Sequence, residues 1–203
     1  MEKEGKQVKI LFTGFEPFGG SCENPSYDCL KGLPCTVGET ELVTAKLPVS
    51  FRRAPALLLE RMGEERPDAV VCLGLAAGRK KISLEKVGIN YAHAQIPDND
   101  GDRPVDTLLD PNGPAAYFSG LPVFALAEAL NREEIPAEVS LTAGSYVCNC
   151  LLYRLLARAG DIPAGFIHVP AAQDLPLEVT AHAMERTAAF LTAWLERRGV
   201  HEI

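Results

Sequence analysis

The chain has 203 residues and a formal net charge of −7, with 47% hydrophobic and 23% charged residues. These values exclude an intrinsically disordered chain, and they predict one domain that buries most of the surface exposed on unfolding. The acidic balance gives no electrostatic reason to bind nucleic acid or an anionic membrane. We therefore expect a small or weakly charged binding partner.

The sequence shows no targeting segment and no disulfide framework. Its first seven residues, M-E-K-E-G-K-Q, lack the apolar core of a signal peptide, and its longest weakly polar run, residues 69–78, is about half of a membrane span. Six cysteines are too few for a disulfide scaffold, and none forms the Cys-x-x-Cys pair of zinc sites. We expect a soluble cytoplasmic protein whose cysteines are mostly buried thiols.

The first half of the chain alternates strand and helix patterns. Apolar runs at residues 8–12 and 41–47 predict strands, and the spacing of leucine and methionine in residues 52–65 predicts an amphipathic helix. Residues 69–73 form a valine-rich run that is typical of a strand covered on both faces. This order predicts a parallel α/β topology.

The second half repeats that order. Its predicted elements are a strand (83–89), a loop rich in Pro, Asp, Asn and Gly (97–114), two helices (115–118 and 123–133), a strand (138–142), a helix (148–159), a strand (165–169) and a closing helix (177–198). No shift in composition marks a linker. We infer a single α/β domain over residues 1–203, with three α/β/α layers and a mostly parallel central sheet.

Two candidate reactive residues lie where strands are predicted to end. Cys148 begins a predicted helix, where unpaired amides and the helix dipole favour a thiolate, and His168 lies at the end of the next strand. If both strands belong to one right-handed βαβ unit, the two side chains emerge at the same edge of the sheet, where ligands collect in α/β folds. A cysteine nucleophile needs at least a thiol and an adjacent imidazole that takes its proton.

Other roles explain the same residues. Cys148 could be a capping or core thiol and His168 a core histidine bonded to the backbone. Cys148, Cys150 and His168 could share a zinc ion, although no fourth ligand is evident. Cys148 and Cys150 could instead form a reversible redox disulfide.

A cysteine nucleophile also needs an acid that orients the imidazole. In a strand over residues 83–89, Glu85 shares a face with apolar side chains, where an acid needs a partner. A solvated acid on an exposed strand explains this pattern equally well. Asp98 and Asp174 are rival acids, although both can shape turns.

A glycine-flanked loop follows the first predicted strand. Its sequence T-G-F-E-P-F-G-G (13–20) lacks the Lys-Ser/Thr of a phosphate loop, and Pro17 removes an amide that such a loop would use. A nucleotide site is therefore not expected. Phe15 and Phe18 either cover the core or form the wall of an apolar pocket.

Six sequence blocks carry a resemblance to a known family. They are T-G-F-E-P-F-G-G followed by N-P-S (13–26), L-G-x-A-x-G-R (73–79), L-E-K-V-G-I-N (84–90), I-P-D-N (96–99), T-A-G-S-Y-V-C-N (142–149) and F-I-H-V-P (166–170). On these blocks, which span nearly the whole chain in order, the sequence resembles pyroglutamyl-peptidase I. This family of cytosolic cysteine peptidases is also called pyrrolidone-carboxylate peptidase.

The resemblance implies a cysteine exopeptidase that hydrolyses the bond after an N-terminal pyroglutamyl residue of peptides, through a thioester acyl-enzyme. It implies Cys148 as the nucleophile, His168 as the general base and then acid, and Glu85 as the acid that orients the imidazole. It implies no metal and no organic cofactor. The expected partner is a small peptide with N-terminal pyroglutamate, and family members commonly form homotetramers.

The resemblance also implies a pocket for the pyroglutamyl ring. Phe15 and Phe18 would sandwich the lactam, and Asn24 would hydrogen-bond one of its polar atoms. The other implied substrate-binding residues are Leu75, Ile96, Tyr146 and Val147. Pyroglutamate has no ammonium group, so a site for it needs apolar walls and a few placed polar groups.

Three residues depart from the family pattern. Leu75 replaces the usual Gln, Gln95 replaces the Arg before I-P-D-N, and Val49 replaces the Thr after Leu-Pro. Each change removes a polar group near the expected pocket. An alternative function is therefore a divergent member that binds a pyroglutamyl or cyclic-amide group with little or no turnover.

Overall fold

A seven-stranded sheet occupies the centre of the molecule, in a computed structural model that describes the backbone of residues 7–200 and the side chains of residues 7–198. The strands are β1 Lys9–Phe15, β2 Thr36–Val37, β3 Thr40–Leu47, β4 Ala69–Leu75, β5 Ile82–Glu85, β6 Val87–Ile89, β7 Ala116–Phe118, β8 Ala137–Ser140 and β9 Ala164–Val169. The helices are α1 Pro25–Asp28, α2 Arg53–Glu65, α3 Val123–Arg132, α4 Val147–Leu156 and α5 Leu177–Val200. Residues 1–6, which contribute to the expectation of no signal peptide, lie outside the described residues.

The central sheet has the strand order β2-β3-β1-β4-β9-β5-β8. Strands β3, β1, β4 and β9 run parallel, β5 and β8 run parallel to each other, and β5 pairs antiparallel with β9. Strand β2 is antiparallel to β3, and β6 and β7 form a separate two-stranded sheet. The predicted α/β class with a mostly parallel central sheet is confirmed.

Helices cover both faces of the sheet because the central strands are apolar on both sides. Along β4, Val71 and Leu73 pack into a cluster with α1, α3 and α5, while Val70 and Cys72 pack into a second cluster with α2 and α4. All four side chains are inaccessible to solvent. This alternation explains the continuous valine-rich run that predicted a strand covered on both faces.

Two predicted elements are wrong. Where a helix is predicted over residues 115–118, the chain forms strand β7, Ala116–Phe118, and the single strand predicted over residues 83–89 divides at Lys86 into β5 and β6. The Lys86 amide donates to the Ser140 carbonyl in the main sheet, whereas the Lys86 carbonyl accepts from the Ser119 amide. The chain therefore changes sheets at this residue, and Glu85 does not share a strand face with Val87 and Ile89.

The assumed βαβ unit is also wrong. Because β5 is parallel to β8 and antiparallel to β9, strands β8 and β9 run in opposite directions. Helix α1 and the short strand β2 had no predicted counterpart. No helix within residues 7–200 is long and apolar enough to cross a membrane.

Candidate active site

A buried histidine and a buried glutamate meet where β5 pairs with β9. Glu85 lies opposite Phe166 in the antiparallel register, and His168 is two residues further along β9, so the three side chains share one face. The His168 Nδ1 atom lies 2.7 Å from the Glu85 Oε1 atom. Glu85 is 0% exposed and His168 is 5% exposed, which contradicts the interpretation of Glu85 as a solvated acid.

The two rival acids have other roles. The Asp98 carboxylate accepts hydrogen bonds from the amides of Phe51, Asp100 and Asp102, and it thereby shapes the loop that holds I-P-D-N. Asp174 lies in a turn, where its amide donates to the Ala171 carbonyl. Within residues 7–198, Glu85 is thus the acid that the structure brings to His168.

The Glu85 carboxyl stays ionised despite its burial. Burial raises its pKa, but contacts with the His168 ring, the Ser140 hydroxyl and the Arg79 guanidinium together outweigh this effect, so the pKa lies below its ordinary value. Arg79 Nη1 lies 2.8 Å from the same Oε1 atom that His168 approaches. An ionised Glu85 accepts the Nδ1 proton of His168, which leaves Nε2 free to accept a proton.

Cys148 lies in the first turn of α4. The first amides of any helix have no intrahelical acceptor. At α4 the cap residue Tyr146 makes no side-chain capping bond to them. The half-buried Cys148 side chain opens into a pocket. A Cβ atom on Gly74 would stand 2.9 Å from the Cys148 sulfur, and Gly74 is the β4 register partner of His168. The sulfur therefore lies beside the strand pair that carries the imidazole.

The thiol and the imidazole are close in the fold without being bonded at rest. The hydrogen bonds among the described residues include Glu85 with His168 but none between the Cys148 thiol and the His168 ring. Catalytic hydrogen bonds are often long in unliganded enzymes and tighten on substrate binding. The arrangement can therefore transfer a proton once the substrate draws the sulfur forward.

The resting form of Cys148 is a neutral thiol. Burial raises its pKa to about 12, and the Glu85 charge raises it as well, whereas its own backbone amide and Arg79 lower it. The backbone amide at the helix start favours the thiolate, as expected from the sequence, but burial outweighs this effect. This thiol therefore needs a base in order to ionise near neutral pH.

We expect alkylation of Cys148 by iodoacetamide to accelerate with pH in the unliganded protein. Because the thiol stays protonated below about pH 12, its thiolate fraction should rise about tenfold per pH unit from neutral pH upward. Mass spectrometry of the peptide containing Cys148, labelled between pH 6 and about 10, measures this slope. A rate that is already at its plateau near neutral pH would contradict the expectation.

Gly74 makes room for the reactive sulfur, which leads to a second prediction. A Cβ atom there would lie 2.7 Å from Phe166 Cζ as well as 2.9 Å from the Cys148 sulfur. Gly74→Ala should therefore displace the thiol, lower kcat at least about tenfold and cost about 1–3 kcal/mol of stability. Gly63→Ala in α2 is the matched control, because its Cβ meets nothing within 4 Å. Unaltered kcat and melting temperature in the Gly74 variant would contradict this assignment.

An apolar pocket of about 240 Å³ lies in front of Cys148. Six of the seven predicted substrate-binding residues line it: Phe15, Phe18, Asn24, Leu75, Tyr146 and Val147. Ile96 does not, since it is 51% exposed and lines a neighbouring hollow with Gln95. Sequence reasoning missed Ser21, Glu23 and Ala77 as lining residues, although the double glycine before Ser21 is a signal for a turn there.

Aromatic contacts hold the pocket wall in place. The Tyr146 ring lies 5.5 Å from the Phe18 ring and 5.2 Å from the Phe51 ring, the latter edge to face. The Tyr146 hydroxyl donates to the Pro97 carbonyl over 3.0 Å. Phe15 is buried and packs 6.5 Å from Phe166. Phe15 and Phe18 thus serve both the core and the pocket, two roles that the sequence had offered as alternatives.

Asn24 is largely committed to the fold. Its Oδ1 atom accepts from the amide and the hydroxyl of Ser26 at the start of α1, and its Nδ2 atom donates to the Glu16 carbonyl. One amide proton of Nδ2 remains for a ligand. Asn24 can therefore donate to a lactam carbonyl but has no free lone pair for a lactam N–H.

Cys150 points away from the pocket. It is buried, and its sulfur lies 3.5 Å from the Phe51 carbonyl. Residues two apart on a helix face different sides, so neither a Cys148–Cys150 disulfide nor a zinc site shared by both has the required geometry. A larger open hollow of about 920 Å³, lined by Val8, Pro67 and Pro163 among others, lies at the opposite edge of the sheet, away from the sulfur.

Comparison with known proteins agrees with this geometry. The family model for pyroglutamyl peptidase matches residues 8–188. The chain belongs to the pyroglutamyl peptidase family. It is 43% identical over 175 residues to pyrrolidone-carboxylate peptidase 1 of Caldanaerobacter subterraneus subsp. tengcongensis, covering 84% of this chain and 86% of that relative. It is 44% identical over 167 residues to the Streptococcus suis pyrrolidone-carboxylate peptidase, covering 80% and 78%.

Solved pyroglutamyl peptidase structures share the fold. The Bacillus amyloliquefaciens pyroglutamyl peptidase I superposes with a TM-score of 0.86 at 39% identity, covering 89% of this chain and 95% of that one. The pyrrolidone carboxyl peptidase of Thermococcus litoralis superposes with a TM-score of 0.90 at 34% identity, covering 94% and 96%. The match to the family therefore includes the segments that carry Cys148, His168 and Glu85.

Proposed function

We propose that this chain removes pyroglutamate from the amino terminus of peptides, with Cys148 as nucleophile, His168 as general base and then acid, and Glu85 as the acid that orients the imidazole. One observation supports these roles above all. The buried hydrogen bond of 2.7 Å between His168 and Glu85 lies beside a thiol that opens into an apolar pocket.

The chemistry requires two steps. The Cys148 sulfur attacks the carbonyl carbon that joins pyroglutamate to the next residue while His168 Nε2 takes the thiol proton, and the imidazolium then protonates the departing amine. Water, deprotonated by His168, hydrolyses the resulting thioester. Glu85 keeps the Nδ1–H of the ring directed toward itself, so Nε2 faces the reacting atoms.

The unpaired amides at the start of α4 supply the charge stabilisation. Attack creates an oxyanion next to the sulfur, and the amide of Cys148 lies within hydrogen-bond reach of its own sulfur. Amides that have no intrahelical acceptor can donate to such an oxyanion without reorganisation. Loss of one donor of this kind typically costs about 100-fold or more in kcat.

The pocket accounts for the preference for a neutral ring. Phe15, Phe18 and Tyr146 provide flat apolar walls, and Asn24 offers one N–H for the lactam carbonyl. A free N-terminal glutamine would bring an ammonium group into this apolar space and lose its hydration. Such a substrate should be rejected.

Hydrolysis of chromogenic amides under reducing conditions tests the proposed function. The protein should release the chromophore from pyroglutamyl amide and leave glutaminyl amide intact. Release from neither amide would contradict the proposal.

Binding without turnover is the second candidate function. Leu75 and Val49, which place aliphatic groups in the pocket wall, raise this possibility. Relatives at 43% and 44% identity that are pyrrolidone-carboxylate peptidases support the peptidase over it. Calorimetry that detects binding of a pyroglutamyl peptide, together with no product after prolonged incubation, would support it over the peptidase.

We also propose a cytoplasmic location and a homotetramer. All six cysteines are free thiols, including the exposed Cys22 and Cys35, which suits a reducing compartment. The tetramer rests on the resemblance alone. Sedimentation analysis under reducing conditions measures the oligomeric state.

A further inference from the structure

Arg79 contacts Glu85 but has no role in the proposed reaction steps. It follows β4 and the turn at Gly78, and its side chain is 29% exposed. Its Nη1 atom lies 2.8 Å from Glu85 Oε1, and its Nη2 atom donates to the Thr142 carbonyl over 3.1 Å. The guanidinium thus joins the loop after β4 to β5 and to the segment that leads into α4.

The Glu85 carboxylate depends on this contact. His168 and Arg79 both contact the same oxygen, Oε1, and the Ser140 side chain also lowers the pKa of this carboxyl. The second oxygen, Oε2, is buried and has no hydrogen-bond partner among the described residues, and the nearby Ser140 hydroxyl donates to the Thr142 carbonyl. A buried carboxylate beside a neutral imidazole would be an uncompensated charge, and Arg79 supplies the permanent positive charge that compensates it.

Charge balance connects Arg79 with the reactive sulfur. The ionisable groups that act on Cys148 are Glu85, which opposes ionisation, Arg79, which favours it, and Cys72. With Arg79 present, the thiolate, imidazolium, carboxylate and guanidinium sum to zero. Without it, the site would carry a net negative charge both before and after the proton moves from the thiol to the imidazole, and the Glu85 charge would oppose the thiolate without compensation.

We propose that Arg79 is a positioning residue of this site: its guanidinium holds the Glu85 carboxylate and the segment of residues 141–146 in one arrangement, and it balances the Glu85 charge where the Cys148 thiol ionises. This inference deepens the proposed function and rests on it for the reaction. The effect of Arg79 on ionisation of the Cys148 thiol does not depend on whether the protein hydrolyses a substrate.

The test compares three variants of the full chain by iodoacetamide labelling as a function of pH. Arg79→Met removes the positive charge, and Arg79→Lys keeps the charge but loses the planar guanidinium that bonds Glu85 and Thr142 together. Lys80→Met removes a charge from the exposed neighbouring residue. Mass spectrometry reads labelling of Cys148, with the exposed Cys22 and Cys35 as internal references. Circular dichroism checks that each variant folds.

In Arg79→Met, labelling of Cys148 should slow at least a few-fold at each pH, because a positive charge that favours the thiolate is lost and the Glu85 charge that opposes it stays. The internal references should not change. kcat for a pyroglutamyl amide should fall about 10- to 100-fold with little change in KM, since the ring pocket does not include Arg79. Arg79→Lys should restore most of the labelling rate, and Lys80→Met should match the original protein.

Two results would overturn the inference. One is an Arg79→Met variant whose Cys148 labelling profile and kcat equal those of the original protein. The other is an Arg79→Lys variant as slow as Arg79→Met, which would show that the charge at position 79 is not what favours the thiolate, or a Lys80→Met variant slowed equally, which would show that the effect is not specific to position 79. If Arg79→Met does not fold, Arg79→Gln takes its place as the uncharged variant, with the same expected results. A protein that lacks peptidase activity but shows the labelling differences would refute the proposed function and leave the role of Arg79 in thiol ionisation supported.

Discussion

Replacing Cys148 by alanine should abolish release of pyroglutamate, with kcat lowered at least about 10⁴-fold. The physical reason is that Cys148 supplies the thiol among the residues that line the pocket, whereas the hydroxyl of the lining residue Ser21 donates to the Glu23 carbonyl. Because the side chain is small and only half-buried, its truncation should leave the melting temperature nearly unchanged. Steady-state hydrolysis of a pyroglutamyl amide measures kcat, and calorimetry with a pyroglutamyl peptide measures whether the pocket still binds.

Cys150→Ala is the matched control for this variant. Cys150 lies in the same helix two residues away, and its sulfur contacts the Phe51 carbonyl outside the pocket. It should retain activity within a few-fold and lose only a little stability. Equal rates for Cys148→Ala and the original protein would remove the basis of the proposed mechanism, and an inactive but well-folded Cys150→Ala variant would point to a role for both cysteines.

Glu85→Gln should lower kcat by about 10³- to 10⁴-fold, the effect expected when an orienting acid no longer fixes the histidine tautomer. The carboxylate accepts from His168 Nδ1 at 2.7 Å, whereas an amide nitrogen at that position would donate to Nδ1 and place the ring proton on Nε2. The imidazole then has no lone pair for the thiol proton. Substrate binding should change little, because Glu85 does not line the pocket.

Glu138→Gln is the control for the Glu85 substitution. Glu138 lies on the neighbouring strand β8, where its carboxylate contacts the Ser83 hydroxyl at 3.3 Å, and it makes no contact with His168. It should keep full activity. A Glu85→Gln variant with the original kcat would show that His168 does not need an acid partner.

The pKa of Glu85 lies below its ordinary value, so the carboxylate should persist at weakly acidic pH and be lost only as pH falls through that lowered value.

Much of the fold was predictable from the sequence because buried strands and amphipathic helices leave strong periodic signals. Helix α2 and strand β3 begin within one residue of their predicted starts. The wrong predictions share a cause in long-range pairing. Residues 115–118 form a strand only because β6 offers a partner, and the break at Lys86 depends on bonds to Ser119 and Ser140. Local sequence does not encode such partners.

The candidate site was predictable as a set of residues but not as a geometry. The sequence placed Cys148 and His168 at strand ends by a βαβ argument that the antiparallel β5–β9 pair contradicts. The argument for Glu85 from a shared apolar face was likewise wrong, and the pairing with His168 comes from the register of β5 against β9. The roles of these residues in catalysis remain predictions. The contacts of Arg79 with Glu85 and Thr142 could not be predicted from the sequence, which shows Arg79 only as the last residue of the block 73–79.

The antiparallel pairing of β5 with β9 has a consequence for how activity appears during folding. His168 and Glu85 are 83 positions apart in the chain, yet they become neighbours through this one strand pair. Closing so long a loop is entropically costly, so contacts of this kind tend to form late, after helices and local hairpins. Recovery of enzyme activity after dilution from denaturant therefore reports completion of the whole tertiary structure, and a species that has regained only its helical signal would still lack the acid–imidazole pair.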